Sequence, residues 1–207
     1  MKGTLMHYTT LDSAINIIKS KQFKFSRLIM MNDLQEANLE LYYPNLKTFK
    51  SCSFSMTYYE NIPMWKIYGN SDTGAAIKFV FYEKNNYNDL FQDKKIVGHE
   101  IKYIKINQFN RYARGNSIEN INEGFSKSSC WSYEKEYRFG TFENSNNDFF
   151  YMNLDCIKKI EVILFPKTGT KICVKNIKKQ RLKEIKNSPL YEKISFSTST
   201  FAKTIKK

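Results

Sequence analysis

Short strand-like segments, mixed irregularly with a few helical ones, run through the whole sequence. The segment 74–82, GAAIKFVFY, begins with glycine and is apolar along most of its length, a pattern that predicts a strand. Apolar alternation predicts further strands at 4–8, 22–26, 51–56, 98–106, 134–142, 149–154, 160–165 and 193–198. Because these strands do not alternate regularly with long helices, we expect an α+β fold and not a doubly wound parallel sheet.

Helical spacing is clearest in 11–18, where apolar residues recur at i, i+3, i+4 and i+7 and where Thr9 or Thr10 can serve as the N-cap. The segment 63–68 fits a short helix, since proline suits its first turn and the following glycine suits its C-terminal cap. Three more segments are of helical or mixed character: a turn and helix at 30–41, a helix or loop at 116–127, and a basic amphipathic helix at 175–186.

The composition indicates a globular protein with an unusual charge. The 207 residues are 42% hydrophobic and 15% aromatic, and neither a repeat nor a linker divides them, so we expect one domain over 1–207. The net charge of +13 fits a basic surface for nucleic acid, phosphate-bearing ligands or an anionic membrane. It equally fits the Lys-rich and Asn-rich composition that an AT-rich genome favours.

Several classes of protein are disfavoured. The four cysteines include no C-x-x-C pair and there are only two histidines, which argues against a structural zinc site and against a disulfide framework. The N-terminus lacks the apolar region of a signal peptide, and no apolar run reaches transmembrane length. We therefore expect a cytoplasmic protein with no bound metal and no membrane partner.

Two motifs near the N-terminus could bind a ligand. His7 follows a short apolar segment and precedes a Tyr-Thr-Thr sequence, so it is either a binding residue or a partly buried side chain at a strand end. In SCSFS at 51–55, alternate serines share one strand face. They could bind a ribose or position a carboxylate, or they could face solvent on a half-exposed strand.

Two further clusters have equally simple structural interpretations. Trp65 and Tyr68 in PMWKIYG are spaced i, i+3, so they could form a stacking platform for a planar ring or pack in a core. Asn32, Asp33 and Glu36 in MNDLQE read most simply as a turn and helix cap.

The stretch WSYEKEYRFG, 131–140, holds the most suggestive pattern. In a strand, Glu134, Glu136 and Arg138 would share one face. Paired carboxylates raise each other's pKa and can take distinct catalytic roles, and the neighbouring guanidinium would offset their repulsion. The structural alternative is an exposed strand face with an ion pair of little energetic value.

The order of the motifs is more specific than any one of them. The series HYTTLDSAINIIKSKQFKFS, MNDLQE, SCSFS, MWKIYG, GAAIKF and WSYEKEYRFG resembles a bacterial family of uncharacterised domains, over roughly 5–165. That family looks like a remote branch of the ADP-ribosyltransferase superfamily, and the opening segment is similar to the start of DarT-type DNA ADP-ribosyltransferases. The resemblance implies a split arrangement of mostly antiparallel sheets with a few peripheral helices.

The resemblance also implies that NAD is a substrate and that no metal is needed. His7, assisted by Thr9 and with Tyr8 beside it, would hydrogen-bond the adenosine-side ribose. Trp65 or Tyr68 would stack on the nicotinamide ring.

The catalytic carboxylate implied by the resemblance is Glu136. Glu134 would orient the nucleophile, and Arg138 would help to keep Glu136 ionised. A middle catalytic position would be filled by Ser53, Ser55 or Tyr68. The choice stays open because SCSFS departs from the usual Ser-Thr-Ser.

These roles imply an enzyme that cleaves the nicotinamide–ribose bond and transfers ADP-ribose to nucleic acid or protein. Such an enzyme would suit a bacterial toxin or anti-phage effector, with an antitoxin as a possible partner.

Two other hypotheses follow from the residues. The charge and the aromatics support a non-enzymatic nucleic-acid-binding protein. His7 with Glu134 or Glu136 would suit a metal-independent nuclease. Lysines on one face would favour binding, and an even spread would favour composition drift.

Overall fold

A computed structural model describes residues 3–69, 74–115, 122, 124–143, 146–165, 179–188 and 190–201. They form two compact units, each built from separate stretches of sequence. The first unit draws on 1–22, 56–90 and 152–207, and the second draws on 23–55 and 91–151. Within these described ranges, no helix has both the length and the apolar character needed to cross a membrane.

The described residues contain twelve strands and four α-helices with defined ends. In chain order the strands are β1 (Thr4–Thr10), β2 (Gln22–Lys24), β3 (Ser26–Arg27), β4 (Lys50–Ser55), β5 (Gly74–Phe81), β6 (Val97–Glu100), β7 (Lys102–Ile104), β8 (Ser126–Ser128), β9 (Glu136–Thr141), β10 (Phe149–Tyr151), β11 (Ile157–Leu164) and β12 (Ile194–Thr198). The helices are α1 (Leu11–Ser20), α2 (Leu34–Tyr42), α3 (Ile62–Tyr68) and α4 (Ile106–Tyr112). Helices and mostly antiparallel sheet together confirm the α+β prediction.

The first unit is built on a sheet with the strand order β12-β11-β5-β1. Strands β1 and β11 pair antiparallel with β5, and β12 pairs parallel with β11. Helix α1 buries Ala14, Ile15 and Ile18, the face that the apolar spacing predicts. Its N-cap is Thr10, whose hydroxyl accepts a hydrogen bond from the Ser13 backbone N–H at 3.2 Å.

The second unit is built around β4 and β9, which pair antiparallel along their whole length. Strand β3 pairs with the other edge of β4, and β6 pairs with β9. Strands β7 and β8 form a separate parallel pair, and β2 pairs with β10. Phenylalanine rings in edge-on contact fill much of its core: Phe23, Phe25, Phe54, Phe91 and Phe139.

Two predicted strands differ clearly from the structure. The strand expected at 98–106 is divided into β6 and β7, and its last residue begins helix α4 instead. The strand expected from 134 starts at Glu136, because the preceding residues form a 3₁₀ segment, Ser129–Glu134. The region 116–127 lies largely outside the described residues, as do 175–178 of the expected basic helix. Of that helix, 179–185 are described and are helical.

Candidate functional site

The backbone of WSYEKEYRFG turns between its two glutamates. The 3₁₀ segment ends at Glu134, and Lys135 adopts the left-handed conformation with φ of +43°. Strand β9 begins only at Glu136. The prediction that Glu134 and Glu136 share a strand face is therefore wrong, because a left-handed residue stands between them.

Glu136 is nevertheless surrounded by polar partners. One carboxylate oxygen, Oε1, accepts hydrogen bonds from Arg138 Nε at 2.6 Å and from Ser53 Oγ at 2.5 Å. The backbone N–H of Glu136 donates to the hydroxyl of Tyr103 at 2.9 Å. The Ser53 contact follows from strand register, since β4 and β9 set Ser53 opposite Arg138 and Ser55 opposite Glu136, while Arg138 lies two residues from Glu136 along β9. Only 3% of the Glu136 side chain is exposed, so the surrounding residues fix its position.

Arg138 joins the sheet to a helix. Its Nη1 donates to Glu36 Oε1 at 2.5 Å and to the backbone carbonyl of Gly124 at 2.8 Å. Gly124 has φ of +80°, and a Cβ there would lie 2.7 Å from the Phe49 ring. Only glycine therefore presents this carbonyl to the guanidinium without strain.

Lys127 is the point at which the carboxylates converge. Its ammonium lies 2.7 Å from Glu134 Oε2, 3.4 Å from Glu136 Oε2 and 3.5 Å from Glu36 Oε2. It also lies 4.7 Å from the centre of the Trp131 ring, within the range of a cation–π contact. Glu134 and Glu136 thus both contact Lys127, although they do not lie on one strand face as the sequence pattern predicts.

We refer to Glu36, Lys127, Glu134, Glu136 and Arg138 as the buried charge cluster. Each of the five is at most 4% exposed, and the cluster holds three carboxylates against two cations. Asp33, at 5% exposed, adds a fourth carboxyl group from the N-cap of α2. The Oδ2 atom of Asp33 and the Oε2 atom of Glu36 accept no hydrogen bond from the described residues. The cluster is therefore richer in negative than in positive groups.

The protonation states follow from these contacts. Burial alone would raise the pKa of Glu136, but Arg138 and Lys127 more than offset it and lower the pKa to about 2. Burial opposes the charge of Lys127, yet the three surrounding glutamates raise its pKa. Burial and the nearby Glu36 raise the pKa of Asp33. Glu136 is thus ionised at neutral pH, whereas the surroundings of Asp33 make its ionised form less favourable than in an exposed aspartate.

The serines of SCSFS support the same segment. The Ser55 hydroxyl donates to the backbone carbonyl of Glu134 at 2.6 Å, and the Ser53 hydroxyl donates to the Glu136 carboxylate. Strand β4 is buried along both faces except at Ser53, which is half-buried. The half-exposed strand with outward serines, one of the two interpretations of this motif, therefore does not apply.

The remaining predicted residues lie in the first unit. His7, Tyr8 and Thr9 lie on β1, with His7 opposite Ile77 in register. The hydroxyl of Tyr8 accepts a hydrogen bond from the Asn61 backbone N–H at 2.9 Å. Burial raises the pKa of Tyr8 to about 12, so this phenol is neutral at physiological pH.

Trp65 lies on α3 and is 1% exposed. Its ring stacks on Phe165 at 5.0 Å between centres and meets the edge of Tyr8 at 5.1 Å, while its Nε1 donates to Glu60 at 3.0 Å. In the structure Trp65 therefore packs as a core aromatic, and Tyr68, on the same helix, is the half-buried member of the pair.

Sequence reasoning missed Lys127 and Tyr103 and attached little weight to Glu36. Lys127 stands four residues before Trp131 and seven before Glu134, inside the otherwise uncharged segment FSKSSCW. An isolated lysine in such a segment, just before two glutamates, was an available signal. Glu36 and Arg138 are 102 positions apart, and nothing local indicates their pairing.

Comparison with known proteins identifies no relative, so the geometry of the site is the basis for its interpretation. No family model, curated protein or solved structure matches the chain. Within the described part of the chain, no group of three or more His, Cys, Asp and Glu side chains is arranged to hold a metal ion.

Proposed function

We propose that the protein is an NAD-consuming ADP-ribosyltransferase in which Glu136 is the catalytic carboxylate. The observation that carries the proposal is the pair of hydrogen bonds to Glu136 Oε1, from Arg138 at 2.6 Å and from Ser53 at 2.5 Å. Together with Lys127 they keep one carboxylate ionised and fixed within a low-dielectric environment. That is the protonation state and rigidity that this reaction requires.

The reaction breaks the bond between the ribose C1′ and the nicotinamide nitrogen. The bonding electrons leave with nicotinamide, which departs as a neutral molecule, and positive charge develops on the ribose as in glycoside hydrolysis. A fixed carboxylate stabilises that charge without having to reorganise. The acceptor then forms a bond to C1′ and releases a proton to solvent.

Ser53 fits the middle catalytic position better than Ser55. It is the half-buried residue of β4, whereas Ser55 is fully buried and bound to a backbone carbonyl. A ribose hydroxyl that replaced the Ser53 hydroxyl on Glu136 Oε1 would form an equivalent hydrogen bond. This exchange would give the substrate a route to a carboxylate that is otherwise enclosed.

Glu134 and Lys127 are proposed to act as a pair. Lys127 holds Glu134 Oε2 at 2.7 Å and Glu136 Oε2 at 3.4 Å, so it sets the spacing of the two carboxylates. In this proposal Glu134 orients the acceptor nucleophile, and Lys127 is a positioning residue that does not itself touch the substrate.

The test is release of nicotinamide from NAD by purified protein, with and without candidate acceptors. We expect Glu136→Gln to abolish turnover while leaving NAD affinity within a few-fold of wild type, because the carboxylate acts mainly in the transition state. Glu40→Gln is the matched control. Glu40 is also buried in the second unit, where it pairs with Arg27 and accepts from the Ile29 N–H, but it lies outside the buried charge cluster.

Two results would overturn the proposal. One is that wild type neither binds NAD nor releases nicotinamide with any acceptor. The other is that Glu136→Gln and Glu40→Gln lower turnover equally, which would make Glu136 a structural residue only. Ser53→Ala provides a second variant in case the first fails to fold. It retains Arg138 and Lys127 around Glu136 and should reduce turnover by a smaller factor.

A further inference from the structure

The positive charge of the chain is unevenly divided between the two units. The sequence ranges of the first unit hold 20 Lys and Arg against 9 Asp and Glu, whereas those of the second hold 13 against 11. The first unit therefore carries +11 of the net +13. Composition drift alone would spread the excess over both units, so the division favours a functional basic surface.

The helical residues 179–185, with the residue after them, present part of this charge on one side. Lys179, Lys183 and Lys186 are spaced i, i+4 and i+7, so they project within a narrow sector of the helix. All three are exposed. We refer to them as the basic stripe.

The opposite side of this segment is attached to the first unit. Ile185 is fully buried, and Arg181 donates to Glu184 at 2.9 Å and to Asp12 of α1 at 2.5 Å. Glu184 also pairs with Lys19 at 3.6 Å. Among the described residues, the acidic side chains of Asp12 and Glu184 are thus paired with Arg181 and Lys19 and not with the basic stripe.

The geometry points to duplex DNA as the partner of the basic stripe, bound through its phosphates. Seven helical residues advance about 10 Å. One strand of B-form DNA advances about 3.4 Å per phosphate, so three steps from phosphate to phosphate cover about the same length. Three flexible ammonium groups along this length can each reach a phosphate of one strand, and such contacts are independent of base sequence.

An anionic membrane would require a different helix. Amphipathic helices bind membranes by inserting an exposed apolar face beside a basic one. Here the apolar residues Leu182 and Ile185 are half-buried and buried respectively, so the described part of the helix, 179–185, offers no apolar anchor to insert. The partner is therefore a polyanion that the exposed lysines contact at the protein surface, without insertion of apolar side chains.

The experiment measures binding of the full chain to a fluorescent DNA duplex of mixed sequence by anisotropy, at several salt concentrations. The test variant is Lys179→Gln/Lys183→Gln/Lys186→Gln. The matched control, Lys47→Gln/Lys94→Gln/Lys105→Gln, removes the same charge from exposed lysines of the second unit. We expect the test variant to lower the slope of log affinity against log salt by about 2.7, at about 0.9 per phosphate. The control should leave the slope near that of wild type.

Each other outcome would overturn the inference. Equal losses in the two triple variants would show only a general effect of charge. Preference for single-stranded DNA, or loss of binding to anionic phospholipid vesicles in the test variant, would assign the stripe to a different partner. Absence of duplex binding by wild type at low salt would show that the basic stripe is not a DNA-binding surface. The inference is independent of NAD chemistry, and Glu136→Gln should bind the duplex as wild type does.

Discussion

The two units use charged residues in opposite ways. Among the described residues, every buried charged side chain belongs to the second unit: Asp33, Glu36, Glu40, Lys50, Lys127, Glu134, Glu136 and Arg138. Among its own described residues, the first unit buries the uncharged polar side chain of Ser199, and the rest of its core is apolar. Yet the first unit carries most of the net charge, all of it on half-buried or exposed groups where it is described. Net charge alone conceals this difference.

The contrast indicates where function lies. A buried ion pair gains little net stability over well-packed apolar side chains, because removing both charges from water is expensive. A core made for stability alone would resemble the first unit. The second unit instead keeps a cluster with more carboxylates than cations, which is the kind of arrangement found where charge is used in chemistry.

The largest expected effect is a loss of free energy of unfolding when Arg138 of the second unit is replaced. Arg181 of the first unit provides the comparison. Arg138→Met should destabilise the protein by about 3–5 kcal/mol, because it leaves the buried Glu36 and Glu136 with the more distant ammonium of Lys127 in place of a bound guanidinium. Arg181→Met should cost about 0–1 kcal/mol, since its partner Asp12 is exposed to solvent. Urea denaturation at neutral pH measures both variants. Similar losses would mean that the two units do not differ in the way described.

A smaller effect should appear in acid. The pKa of Glu136 is lowered to about 2 in the folded protein, against about 4.3 for an ordinary glutamate. The stabilisation from its ionised form is complete above the unfolded value and is lost as the pH falls from about 5 to about 2. Glu136→Gln should therefore flatten the fall of the urea midpoint over this range.

Glu143→Gln provides the matched control for the acid experiment. Glu143 pairs with Lys95 on the surface of the same unit at 2.9 Å, and the lysine of that pair is 67% exposed. Its removal should leave the acid dependence as in wild type. If both variants flatten the profile equally, the acid loss does not arise in the buried charge cluster.

Asp33→Asn should change stability in the opposite direction. Burial and Glu36 raise the pKa of Asp33, so its ionised form opposes folding at neutral pH and this opposition disappears as the pH falls through its folded pKa. Asparagine retains the cap, in which Oδ1 accepts from the Gln35 N–H at 2.8 Å. We expect a slightly higher urea midpoint at pH 7 than in wild type, with the gain vanishing in acid. A lower midpoint at pH 7 would contradict the imbalance of charge.

The smallest effect on stability is expected at the basic stripe. Lys179, Lys183 and Lys186 are exposed, so replacing them with glutamine should shift the free energy of unfolding by no more than about 0.5 kcal/mol each. Thermal denaturation in low and high salt measures the change. A large loss would show that these lysines hold the first unit together.

The sequence predicted elements where local pattern decides the structure. The strand at 74–82 and the helix at 63–68 correspond to β5, Gly74–Phe81, and α3, Ile62–Tyr68. Helix α4 was missed because Ile104 and Ile106 continue a strand-like alternation into its first turn. Its buried Phe109 and Tyr112, three apart, fit helical spacing, but the alternation that precedes them hides the start of the helix.

The site was predictable in part. The order of the motifs indicated Glu134, Glu136, Arg138 and the serines, and the structure brings these residues together in the second unit. The order of the motifs did not indicate the left-handed conformation of Lys135, because lysine has no preference for that conformation. Long-range pairing also escapes a local pattern, as with Glu36 and Arg138. The link from this arrangement to NAD stays a prediction.

The contact between Lys127 and the Trp131 ring allows tryptophan fluorescence to report on the buried charge cluster. The chain has two tryptophans, and each unit contains one: Trp65 in an apolar core and Trp131 beside the ammonium of Lys127. With Trp65→Phe, the remaining emission would report only on the second unit, and the reciprocal Trp131→Phe only on the first. Quenching and wavelength could then follow each unit separately during titration with acid, urea or nucleotide, without any added label.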